Sequence, residues 1–193
     1  MFIDYVALML VNLVAGFVLL ALHFIKYQGT GEKTLGPGFL VVGFVATVTG
    51  LAMIFTWPLP GSYNIPFGEL SVLFGTLFLG AGTALVKGWS LTGIGVYAIV
   101  AGLAAVVVGV RILALKMTSE PLLSGIGFIL SGLGGLLTLP AYLVKKSRTV
   151  RVVAAVILLA AAAIWAFSGY GSYWAHLQSF ATWAPPGMRA PAK

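Results

Sequence analysis

Apolar residues run through this chain in six long stretches separated by short polar connections. The stretches cover roughly 4–25, 38–57, 70–86, 91–113, 121–144 and 150–168. A helix needs about 20 mainly apolar residues to cross hydrocarbon. The pattern therefore predicts an all-α, polytopic membrane protein with six transmembrane helices filling residues 1–168. Short connections make successive helices antiparallel. After the sixth run the alternation changes. In GYGSYWAHLQSFATW, the residues Tyr170, Tyr173, Trp174, Leu177, Phe180 and Ala181 recur at helical spacing with polar residues mostly between them. That predicts an amphipathic interfacial helix over 169–184, too short to span and placed with its aromatics at headgroup depth. The last residues, 185–193, begin with two prolines and read as a disordered tail.

Composition agrees with lipid as the solvent. Hydrophobic residues make up 60% of the chain and charged residues 8%, too apolar for a soluble domain of this size. There is no cysteine, which excludes disulfides, thiolate metal sites and cysteine nucleophiles. The opening MFIDYVALML carries Asp4 where a signal peptide carries basic residues, so the first run is expected to stay as a span.

The net charge of +7 sets orientation. Lys26, Lys33, Lys87, Lys145, Lys146, Arg148 and Arg151 fall on one side, and Arg111, Lys116, Arg189 and Lys193 on the other. The more basic side is expected in the cytoplasm, which puts both termini outside in an inner or cell membrane. The proline-rich connection TWPLPGSYNIPFGE, Thr56 to Glu69, then lies outside as well. Pro58 is expected to end the second helix, Pro60-Gly61 to turn the chain, and Pro66 to stiffen the return.

Glycine is the second pattern. Gly43/Gly50, Gly75/Gly82, Gly95/Gly102 and Gly127/Gly134 each stand seven residues apart, two turns along one helix face. Small residues there let backbones approach closely, within one chain or between protomers, so homo-oligomerisation or membership of a membrane complex is expected. Six glycines also recur 52 residues later, from Gly36/Gly88 to Gly82/Gly134. That spacing suggests spans two–three and four–five as a parallel duplicated hairpin.

Polar residues within the spans are candidates for a path: Asn12, Thr47, Thr76, Thr83, Ser124 and Ser131. Asp4, Trp57, Tyr63, Glu69, Arg111 and Glu120 are candidates for an outer vestibule. No carboxylate falls at mid-depth, which argues against ion coupling. His23 and His176 fall at opposite ends of the bundle and cannot share one haem iron across about 30 Å of hydrocarbon, leaving only single-histidine ligation as a cofactor reading. No nucleophile–base pair, zinc motif or phosphate loop occurs, so no enzyme is expected.

The stretches IFTWPLPGSYNIPFGE, SVLFGTLFLGAG and SEPLLSGIGFILSGLGG resemble an uncharacterised family of prokaryotic six-helix membrane proteins, the domain of unknown function 981, over about residues 1–145. That resemblance implies no activity. The layout is also similar to the urea and short-chain amide channels, with Asn12 and Gly16 of VNLVAG resembling that family's first-span pair. The chain departs from those channels in its third span, Thr76-Leu77-Phe78-Leu79, and keeps only Trp165 of the last-span tryptophans. The resemblance implies a channel or facilitator for a small neutral solute. A non-catalytic accessory subunit and a haem- or quinone-binding protein are the alternatives.

Overall fold

The computed structural model describes residues 4–28, 31–144 and 147–184, and those residues contain helices and turns but no strand. Six helices are long and apolar enough to cross a membrane. They are α1 (Tyr5–Leu22), α2 (Gly36–Thr56), α3 (Leu70–Lys87), α4 (Thr92–Leu115), α5 (Pro121–Leu143) and α6 (Arg148–Ser179). A π-helical turn, His23–Tyr27, prolongs α1, and a second, Ile65–Glu69, leads into α3. Each helix packs on its neighbours in sequence and α6 returns to α1, so the six form a closed ring. One end holds the start of α1, the close of α6 and the 57–69 connection; we call it the proline end. The other holds Lys26, Lys33, Lys87, Arg148 and Arg151 and is the basic end. Lys145, Lys146, Arg189, Lys193 and the tail 185–193 lie outside the described residues.

The sixth helix overturns one expected boundary. It does not stop near residue 168 and restart as an interfacial segment; it runs unbroken for 32 residues to Ser179. At 1.5 Å per residue that is about 48 Å, well beyond a hydrocarbon core of ~30 Å. Ser168, Gly169 and Gly171 lack the proline needed to break it, and Gly169 packs against Leu10 and Val11 of α1. Asp4 then reaches across to His176 Nδ1 at 2.5 Å. Tyr170, Trp174 and Leu177 stay exposed on this final stretch.

Glycine explains how the helices pair. In the α2–α3 hairpin, a Cβ on Gly43 would sit 2.5 Å from the Leu79 nitrogen and 2.7 Å from the Gly75 oxygen. Gly50 faces the Gly68 oxygen, and Gly36 the Gly82 oxygen, in the same way. In the α4–α5 hairpin, Gly102 faces the Gly132 oxygen at 2.6 Å and Gly109 faces the Gly125 oxygen at 2.7 Å. Both are ladders of glycine pairs stepping seven residues along each helix, with backbone against backbone.

The ladders do not follow the 52-residue offset. Gly36 opens α2 whereas Gly88 closes α3 in a left-handed conformation. Gly75 and Gly82 meet α2, but Gly127 and Gly134 meet Trp165 and Leu158 of α6. The partner of Gly43 by position in the ladder is Gly102, and that of Gly75 is Gly132. Every one of the eight glycines expected at packing faces is used inside this one chain, which removes the glycine faces as a reason to expect oligomers.

The proline-rich connection ends α2 before Pro58 and turns at Pro60-Gly61, while Pro66 sits inside the helical turn that leads into α3. α2 ends at Thr56, and Trp57, next to Pro58, takes a left-handed φ of 44°. Pro60 is extended and Gly61 has φ 57°, so the chain turns there. Asn64 is fully buried and holds the loop closed: its Nδ2 donates to the Leu59 carbonyl at 2.7 Å, and its Oδ1 accepts from the Leu59 amide at 3.1 Å.

Candidate functional site

The middle of the ring is filled with aromatic rings. Phe17 of α1 meets Phe74 of α3 edge-on at 6.5 Å, and Phe39 of α2 stacks on Phe78 at 5.7 Å. Phe67 meets Phe128 at 5.6 Å, which meets Trp165 at 5.0 Å. Gly16 leaves room for the Phe78 ring against α1. Three spaces nonetheless lie in series along the bundle. At the proline end a vestibule of about 1020 Å³ opens between α1, α6, the proline loop and the start of α5. Below it lies a central cavity of about 30 Å³ containing Asn12, Ser71 and Ser131. Near the basic end is an inner cavity of about 30 Å³ containing His23, Thr138 and Tyr142. The vestibule and central cavity share Leu10, Phe67 and Trp165 as a common wall. The central and inner cavities share Phe78. Each small cavity has room for two or three waters, at roughly 10–15 Å³ apiece.

The polar candidates divide between this axis and other places. Asn12 lines the central cavity while its Nδ2 donates to the Val42 carbonyl of α2 at 2.9 Å. Ser131 donates to the Gly127 carbonyl at 2.7 Å and accepts from Trp165 Nε1 at 2.9 Å. Ser124 lines the vestibule and accepts from Thr118. Thr47, Thr76 and Thr83 are off the axis. Thr76 and Thr83 bond back to their own helix, at Val72 and Leu79, as hydroxyls in membrane helices commonly do. Thr76 faces outward, with the Tyr97 hydroxyl of α4 at 3.5 Å. Thr47 sits in the α2–α3 ladder beside Gly75, its buried hydroxyl without a partner among the described residues.

Of the six vestibule candidates, Tyr63 and Glu120 line it. Asp4 stands at the rim, bonded to His176, which lines both the vestibule and the small cleft beside it. Trp57 and Glu69 are exposed elsewhere; the Trp57 indole donates to the Gly61 carbonyl. Arg111 lies exposed on α4 and forms no carboxylate pair among the described residues. His23 and His176 are at opposite ends, and the space beside His23 is about 30 Å³, below the ~300–1,000 Å³ of sites for larger organic ligands.

A family model for DUF981, a protein of unknown function, matches residues 1–179. The chain belongs to this family. The DUF981 match covers all six helices, including the α6 extension that carries His176 to Asp4. No curated protein and no solved structure matches the chain.

Several residues that shape the axis of this DUF981 protein were absent from the sequence-based candidates. Trp165 carried a readable signal: a lone indole N–H in a run of alanine, leucine and isoleucine must find a partner, and Ser131 supplies it. Ser71 and Thr138 look like any span hydroxyl. Phe78 lines both small cavities through its position alone, which no local pattern encodes.

Proposed function

We propose that the protein is a membrane facilitator for a small neutral solute, without ion coupling, and that this structure holds it closed. The observation that carries the reading is the series of vestibule, central cavity and inner cavity, with single aromatic walls between them. Among the described residues no Asp, Glu, Lys or Arg lines either small cavity, and an ion would find no compensation in that lining. Opening must move the walls that the cavities share, Leu10, Phe67 and Trp165 on one side and Phe78 on the other, against the packing of Phe17 and Phe39. In the proposed orientation the vestibule and both termini face outward, following the lysine and arginine count. Because the chain has no cysteine, single cysteines at Ser62 and Glu32 test this directly. An impermeant thiol reagent should label only position 62 in intact cells.

Stopped-flow swelling of proteoliposomes with urea, short amides, glycerol and ammonia tests transport. Faster equilibration than empty vesicles for at least one solute is expected. Rates equal to empty vesicles for all four end the reading. The aromatic plug favours a second reading, an accessory subunit of a larger membrane complex, which predicts stoichiometric partners on native purification.

A further inference from the structure

His23 is the most unusual polar residue in the ring. It opens the π-helical turn at the end of α1, is 2% exposed, and neither ring nitrogen has a hydrogen-bond partner among the described residues. A neutral imidazole presents one donor and one acceptor, and burying both unmet is costly. The other polar residues that are as fully buried are engaged: Ser131 with Trp165, and Asn64, in the proline loop, with Leu59. His23 instead faces the inner cavity of about 30 Å³.

The cavity has a structural origin. Gly95 at the last rung of the α4–α5 ladder meets Leu139, not a glycine. The hairpin is therefore wider there, beside Thr138 and Tyr142. The Thr138 hydroxyl donates to the Gly134 carbonyl at 2.9 Å, so its oxygen still has a lone pair to accept with. The remaining wall is apolar, including Phe24, Phe39, Phe78 and Leu77, with no carboxylate or ammonium group.

Resting on the facilitator reading, we propose that His23 and Thr138 form a binding site for one ammonia molecule at the inner end of the path. The occupant must be water-sized. It must donate to the threonine oxygen and pair with one imidazole nitrogen, since a single small molecule cannot reach both sides of the ring. Carbon dioxide cannot donate, urea is too large, and ammonium would lie in an apolar wall, because Glu32, the carboxylate that acts on His23, is outside the cavity lining. Water and ammonia remain. Ammonia is held less strongly by bulk water, so it loses less on crossing the Phe78 wall.

The chain has two histidines, so nitrogen-15 histidine labelling gives two imidazoles to follow, with His176→Gln assigning them. In nanodiscs at alkaline pH, ammonium chloride should shift the His23 ring signals saturably, whereas sodium chloride and urea should not. Identical responses to ammonium and sodium chloride overturn the site. This titration uses the native His23, so a variant that misfolds does not blunt it. In proteoliposomes, His23→Phe should lower ammonia flux about tenfold, the loss of roughly one hydrogen bond, and His23→Gln should lower it less. A His23 that responds in a chain that conducts nothing keeps the site and removes the facilitator. A conducting chain with a silent His23, unaffected by His23→Phe, keeps the facilitator and removes the site.

Discussion

The α2–α3 and α4–α5 hairpins use the same joint for different ends. Each closes through glycine pairs that bring backbone onto backbone. The inward faces differ. The first hairpin sends Phe39, Phe74 and Phe78 into the ring; the second sends Phe128 with Ser131, and its Gly127 and Gly134 admit Trp165 and Leu158 of α6. One hairpin supplies bulk and the other supplies recesses. The joints also differ at one rung: Gly36 faces Gly82, but Gly95 faces Leu139. The His23 cavity lies beside that rung. The tight helix joints thus fix the frame in which the cavities are set.

The largest effects should come from breaking the joint itself. Gly43→Ala and Gly102→Ala each press a methyl onto backbone atoms that cannot turn away. Each should cost about 3 kcal/mol, the upper end for overpacking, measured by unfolding in mixed micelles. Gly95→Ala meets mainly the Leu139 side chain, and should cost about 1 kcal/mol. Equal losses at Gly95 and Gly102 would contradict the open rung.

The next effects concern how each outer helix is tied to its hairpin. α6 is tied to α5 by Trp165 to Ser131, wholly buried. α1 is tied to α2 by Asn12 to the Val42 carbonyl, partly buried. Ser131→Ala leaves a buried indole N–H unmet and should cost about 2 kcal/mol. Asn12→Leu removes donor and cost together, and should lose about 0.6 kcal/mol, the mean for such bonds in membranes. Mixed-micelle unfolding of the two variants side by side checks the order.

How much of this was legible beforehand follows from what each feature depends on. Span number needs only apolar length, and the Trp57–Pro58 stop needs only local sterics, so both could be read. The length of α6 could not. The aromatic run 170–183 looked interfacial because its helical face suits headgroups, yet nothing in it breaks the helix, and the Asp4–His176 contact joins residues from opposite ends of the chain. The glycine faces were readable but their partners were not. Gly75 and Gly127 share a spacing and face different helices. Among the path candidates, Asn12 and Ser131 reached the central cavity, while Thr76 and Thr83 turned to their own carbonyls. A hydroxyl that can satisfy itself locally gives the sequence no mark of which way it points.

The smallest effect separates glycines that pack from glycines that do not. Gly38, near the start of α2, would place a methyl 2.9 Å from a terminal carbon of Leu19. Gly93, near the start of α4, has nothing within 4 Å. Alanine favours a helix over glycine by roughly 0.5–1 kcal/mol. At Gly93 that gain is unopposed, so Gly93→Ala should stabilise by about 0.5 kcal/mol. At Gly38 the Leu19 side chain must shift and the two effects should nearly cancel. Mixed-micelle unfolding of both variants resolves them, provided each is compared with the parent in the same preparation. A Gly93→Ala variant as damaged as Gly102→Ala would mean that α4 has a neighbour on its outer face, and that this end of the second hairpin is a joint as well.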